Sequence, residues 1–124
     1  MTLQELYNMI GGDYEQAIRV LRMDKLIDKH IRKLTKNDVF TSMIAAGESM
    51  DATLLFETSH AVKGVCGNLG LPKLAAIASE ITEEYRPGSP RKFSDEEIRE
   101  KLKAFSELCD ETAQGIRQYE ESNP

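Results

Sequence analysis

The residues best equipped for chemistry are His60 and the lysine and glycines that follow it three, four and seven positions on, in the run His60-Ala61-Val62-Lys63-Gly64-Val65-Cys66-Gly67. A neutral imidazole is a good nucleophile near neutral pH, because its ordinary pKa of about 6.5 leaves much of it deprotonated. Attack on phosphorus would give a phosphoramidate with nearly two negative charges, which calls for a counterion one helical turn away and room for three oxygens. Lys63 and Gly64 meet those needs. Glycine inside a helix costs roughly 0.5–1 kcal/mol relative to alanine, so two on one exposed face need a reason, and space around the imidazole supplies it. Phe56 and Gly67 leave a flat, partly apolar platform beside the ring, with Thr53 on the same side. Such a surface suits docking by another protein better than enclosing a small molecule, so the expected phosphoryl donor is a protein.

These residues share a face only on a helix. Stepping about 100° per residue from Asp51 to Leu69 predicts a buried stripe of Leu54, Thr58, Ala61, Val62, Val65 and Leu69, flanked by Leu55 and Cys66. On that wheel His60 lies roughly opposite the stripe, with Thr53, Phe56, Lys63, Gly64 and Gly67 within about 60° of it. Phe56 has two readings: a docking residue, or a core residue if the helix is rotated or if Tyr7, Met9 and Ile10 cover it. Glu57 either orients the ring or solvates the helix. No second histidine or carboxylate pair completes a triad or metal site around His60.

Elsewhere the chain also punctuates itself into helices. Thr2-Leu3-Gln4-Glu5 is a capping-box pattern opening a short segment that Gly11-Gly12 releases. Asp13 is placed to cap a second helix running to Lys36-Asn37, with Ile18, Leu21, Leu26 or Ile27, Ile31 and Leu34 along it. Asn37-Asp38 starts a third, which should stop at Gly47. Gly70-Leu71-Pro72 closes the His60 helix, and Pro72 suits the first turn of a fifth helix carrying Leu74, Ile77, Ala78 and Ile81 and fraying near Tyr85. Arg86 to Lys92 holds two prolines and a glycine and reads as an exposed connection, a solubilising segment in preference to a docking patch. Ser94-Asp95-Glu96-Glu97 is a second capping box, stapled by Phe93 and Ile98, for a last helix through Leu102, Phe105, Leu108, Cys109, Thr112, Ile116 and Tyr119. No β segment or internal repeat is evident, and Glu121 to Pro124 reads as a disordered tail. The expected fold is all-α: an antiparallel up-down four-helix bundle with a short N-terminal helical extension, a single domain over 1–124 with its core at about 13–120.

Composition narrows the function classes. At 124 residues the chain can bury a core without staples, and Cys66 and Cys109 read as reduced thiols at the core edge. A net charge of −5 leaves no broad basic field for nucleic acid. No apolar run approaches the ~20 residues that span a bilayer, and no signal peptide is recognisable, so a cytoplasmic protein off the membrane is expected. Neither GxxxxGK[ST] nor GxGxxG occurs, so no ATP-binding motif supports kinase activity. His30, between Lys29 and Arg32, reads as a surface residue, and the methionines as core fillers. Two other function classes remain: a helical adaptor without chemistry, and a small acyl-transfer enzyme using Cys66 or His60. The second would need an oxyanion site that a convex helix lacks.

His60-Ala61-Val62-Lys63-Gly64 followed by Gly67-Asn68-Leu69-Gly70 resembles the phosphorylation helix of histidine-containing phosphotransfer (HPt) domains, and Gly11-Gly12-Asp13 resembles their first segment. The likeness is specific from His60 to Gly70 and extends loosely from Gly11 to Tyr119. It implies a four-helix bundle that takes a phosphoryl group from a receiver-domain aspartate and passes it to another, in the phosphorelays of two-component signal transduction. On that resemblance His60 is phosphorylated, Lys63 neutralises the phosphoryl group, Gly64 keeps access open, and Asn68 and Gly70 shape the turn. The implied partners are receiver domains of hybrid histidine kinases or response regulators. No cofactor is expected on this chain, since Mg2+ in such transfers belongs to the receiver. A monomer is expected, and the N-terminal methionine and polar tail favour a stand-alone protein over a piece of a hybrid kinase.

Overall fold

In a computed structural model describing residues 1–124, the chain forms seven helices and no strand. They are α1 (Leu3–Ile10), α2 (Tyr14–Leu21), α3 (Asp24–Leu34), α4 (Val39–Ser49), α5 (Ala52–Asn68), α6 (Pro72–Tyr85) and α7 (Asp95–Ser122). Four begin where a side chain accepts one of the N–H groups a helix start leaves unpaired. Thr2 and Glu5 form a reciprocal capping box, as do Ser94 and Glu97. The Asp13 and Asp51 carboxylates accept from Gln16 N–H and Leu54 N–H, each at 3.0 Å.

The predicted second helix is broken in two. Arg22 takes a left-handed conformation (φ 75°) and Met23 an extended one, so α2 stops at Leu21 and α3 starts afresh. On one continuous helix the inward stripe of Tyr14, Ala17, Ile18 and Leu21 would point roughly 120° away from that of Ile27, Ile31 and Leu34. The break lets both face the core. Gly47 likewise does not end α4, which runs on to Ser49 and a left-handed Met50. A Cβ on Gly47 would sit 2.8 Å from Leu102 Cδ1, so this glycine is where α7 comes close.

α5 packs against α6 and α4, and α7 closes a ring by touching both α6 and α4. Phe40 meets Phe105 edge-on across the α4–α7 contact, ring centroids 5.9 Å apart. α1 lies on α7, where a Cβ on Gly115 would fall 2.4 Å from Ile10 Cγ2. The C-terminal residues are tied down rather than disordered. Glu121 and Ser122 are helical, and the Asn123 amide donates to the carbonyl oxygens of Met1 (2.7 Å) and Tyr119 (2.9 Å). Beneath them Tyr119 donates to Asp28 at 2.6 Å, and Arg32 reaches the same carboxylate and the Asn123 carbonyl.

The connection after α6 is anchored too. Tyr85 is buried rather than frayed. The Glu84 side chain is 1 % exposed and accepts from Lys92 N–H (3.0 Å), Phe93 N–H (3.0 Å) and Arg91 Nε (2.6 Å). Burial pushes the Glu84 carboxyl up, but Arg91 and the two N–H groups outweigh it and hold the pKa below the ordinary value. Arg91 also covers the Tyr85 ring at 4.6 Å.

Candidate functional site

α5 carries the site, and its phase differs from the predicted stripe. The buried residues are Leu55, Ser59, Val62 and Cys66, continued by Leu69, while Ala61 is exposed and Leu54 is 45 % exposed. The helix is turned by roughly 70° from the apolar-count optimum. The reason is a buried polar contact: the Thr82 hydroxyl of α6 lies 2.9 Å from the Ser59 hydroxyl and 2.8 Å from the Ala78 carbonyl oxygen, and Ser59 reaches the Phe56 carbonyl at 3.2 Å. Two small, mutually satisfied side chains let α5 and α6 approach with no unpaired hydroxyl between them.

The rotation leaves His60 in solvent. Its ring rests on Phe56, one turn back, with centroids 6.0 Å apart and planes 19° from parallel. Phe56 is half-buried, and the cover comes not from α1 but from Arg86, whose guanidinium lies 5.5 Å from the Phe56 ring. The α1 side chains go elsewhere: Tyr7 donates to the Leu69 carbonyl at the far end of α5, Ile10 meets Gly115, and Met9 is exposed. Of the two readings of Phe56, the core reading holds in part. It packs against the core and shows one face beside His60.

Beyond His60 the backbone is bare, since a Cβ at Gly64 or Gly67 would meet nothing within 4 Å. Lys63 is half-buried and borders a groove of about 440 Å³ shared with Gly67, Asp13, Gln16, Pro72 and Ala76. Thr53 is exposed two turns before His60. His60, Phe56, Lys63, Gly64 and Gly67 are thus brought together within three turns, with Thr53 at the edge. His30 is also exposed, on a separate groove between α3 and the end of α5.

The end of α5 is clamped. Gly70 is left-handed (φ 68°) and its carbonyl accepts from Asp13 N–H at 2.7 Å, while Leu71 N–H returns to the Cys66 carbonyl at 2.9 Å. A Cβ on Gly70 would lie 2.2 Å from the Asp13 carbonyl oxygen, so no other residue fits. The two stretches Gly11-Gly12-Asp13 and Gly67-Asn68-Leu69-Gly70 therefore meet in space.

Three residues around the His60 helix escaped the sequence reading, Ser59, Thr82 and Glu83, and Arg86 was read only as the start of the connection after α6. Arg86 donates to Glu83 from Nη2 at 2.9 Å and Nε at 3.2 Å. Those bonds hold the Glu83 carboxyl below its ordinary pKa, with the charges of Arg86, Lys63 and Lys92 adding to them. The spacing of Glu83 and Arg86, one turn apart at the end of a predicted helix, was the available signal. Cys66, by contrast, is fully buried and burial pushes its thiol up to about 12, which removes it as an acyl-transfer nucleophile.

A family model for the Hpt domain matches residues 15–118, most of the chain. The chain belongs to the Hpt domain family. Hpt domains carry histidine phosphotransfer in phosphorelays, where they interact with receiver domains, and the all-helical fold agrees with the family's helical bundles. No curated protein and no solved structure matches the chain. No helix of this Hpt domain is long and apolar enough to cross a membrane.

Proposed function

We propose that this Hpt domain relays a phosphoryl group between receiver-domain aspartates through His60. The observation carrying the reading is an exposed imidazole propped on Phe56, with open backbone at Gly64 and Gly67 on its own face. A receiver's aspartyl phosphate approaches over that bare stretch. The unprotonated ring nitrogen attacks phosphorus as the P–O bond breaks, and the aspartate carboxylate leaves with the bonding pair. The other ring nitrogen then gives up its proton to water, leaving a neutral-ring phosphoramidate; in the onward step that nitrogen takes a proton back from water, a second aspartate's carboxylate bonds phosphorus, and the P–N bond breaks to release neutral imidazole.

Lys63, one turn on, supplies positive charge to the phosphoryl oxygens in this scheme, and Gly64 supplies the clearance. Phe56, Gly67 and the more distant Thr53 form the surface the receiver rests on. No three His, Cys, Asp or Glu side chains converge in this fold to hold a metal, and on our reading the divalent ion comes with the receiver's carboxylates. The domain would do this as a cytoplasmic monomer that neither binds ATP nor phosphorylates itself.

The test is label transfer. The purified chain is mixed with each receiver domain of its source organism, charged by a small acyl phosphate, and scored for acid-labile, base-stable phosphate. The expected result is label in the wild type, none in His60→Gln at an unchanged melting temperature, and slower labelling in Lys63→Ala. Label retained in His60→Gln overturns the assignment. No label from any receiver would favour an adaptor without chemistry.

A further inference from the structure

The arginine that packs on the Phe56 ring is already paired. Arg86, at the C-terminal cap of α6, is 42 % exposed and sits over the outer part of Phe56, the same ring that supports His60. It is held there by the Glu83 carboxylate at 2.9 Å. The charge of Lys63 adds a smaller pull on the same carboxyl without an ion pair between the two. One carboxylate thus holds the cation that shares the Phe56 ring with His60, and nothing in the fold needs it there: Glu83 is exposed and bonds only Arg86.

Resting on the reading of His60 as phosphoacceptor, we propose that Glu83 is a resident counter-anion of the site, holding Arg86 while His60 is free and yielding it to the phosphoryl group once His60 is modified. A phosphoryl dianion outcompetes a single carboxylate for a guanidinium, because it offers three acceptor oxygens and greater charge. Arg86 needs only to swing across the Phe56 face, where guanidinium stacking remains available. Glu83 is then left near the new dianion with fewer partners. Its charge opposes the phosphorylated state and favours onward transfer, while Arg86 does the reverse. Glu83 and Arg86 are positioning residues that set how strongly the site holds its phosphoryl group.

The test is the equilibrium partition of phosphoryl group between a charged receiver and the full chain, compared for wild type, Glu83→Gln and Arg86→Gln at matched salt. Glu83→Gln should shift the partition toward phospho-His60 by about three- to fivefold, and Arg86→Gln should shift it away by a similar factor, the scale of a solvent-exposed ion pair. Both shifts should shrink as salt rises from low to about 0.5 M. Melting temperatures should stay within about 2 °C of wild type, since both side chains lie on the surface. An unchanged or reversed partition in Glu83→Gln, with wild type labelled normally, overturns this inference and leaves the phosphotransfer reading standing. A wild type that takes no label from any receiver overturns both.

Discussion

Gly64 offers the sharpest separation of stability from function. It lies in the middle of α5, its φ is not positive, and a Cβ there would touch nothing within 4 Å. Nothing in the packing therefore requires glycine, and Gly64→Ala should stabilise the fold by about 1 kcal/mol through helix propensity and a less mobile unfolded chain. At this chain length that corresponds to a melting temperature about 4 °C higher, and Gly64→Ala with Gly67→Ala together should reach about 8 °C. Function should respond in the opposite sense as the side chain grows. A Cβ on a helix leans toward the N-terminus, so a side chain at 64 lies over the turn that carries His60. Gly64→Leu should fold at least as stably as wild type yet cut phosphotransfer at least tenfold, because the leucine stands where the incoming phosphorus must pass. Thermal unfolding followed by circular dichroism gives the first quantity, and label transfer from a charged receiver gives the second. A destabilised Gly64→Ala would contradict the open space at this position. Wild-type transfer by Gly64→Leu would refute the idea that glycine is there for access.

Gly70 should behave as the opposite case: Gly70→Ala forces a left-handed alanine into the Asp13 carbonyl and should cost about 3 kcal/mol or more, read as an unfolding midpoint lowered by about 10 °C. A change under about 3 °C would mean the clamp is soft. Glu84→Gln should lose about 2 kcal/mol at pH 7, since a charged acceptor shared by Arg91 and two backbone N–H groups becomes a neutral one. The folded carboxyl is held below its ordinary pKa, so this contribution is complete above the unfolded value near 4.3 and fades as pH falls below it. In urea titrations of both proteins from pH 7 down to pH 3 the gap should therefore narrow below about pH 4.3, and a gap that persists undiminished at pH 3 would exclude the ionised carboxylate as its source.

Local chemistry in this chain was legible, and long-range polar pairing was not. The capping boxes at Thr2 and Ser94, the Asp13 cap and the Gly70-Pro72 turn depend on residues a few positions apart, and each is where the pattern puts it. His60 was correctly placed in solvent even though its helix is turned from the predicted phase. That phase could not be read from apolar counting, because Ser59 goes inside on account of Thr82, 23 residues away, and Leu54 stays out. The break at Arg22 was equally hidden: no glycine or proline marks it, and it follows from two stripes that must both find the core. The Arg86 to Lys92 stretch looked merely solvated because its organiser, Glu84, is a charged residue in a fully buried position, and ordinary composition places such a residue outside.

The clasp between Asp13 and Gly70, with Tyr7 on Leu69, bears on where this domain can be trimmed. Tyr7 and Asp13 both precede residue 15, where the stretch recognisable as family begins, yet they take the carbonyls of Leu69 and Gly70, the cap and the turn just after the helix that bears His60. A fragment cut to the recognisable boundary would keep every residue of the histidine's own surface and leave those carbonyls to water. Trimming to that boundary should therefore lower the melting temperature while sparing the histidine's surface.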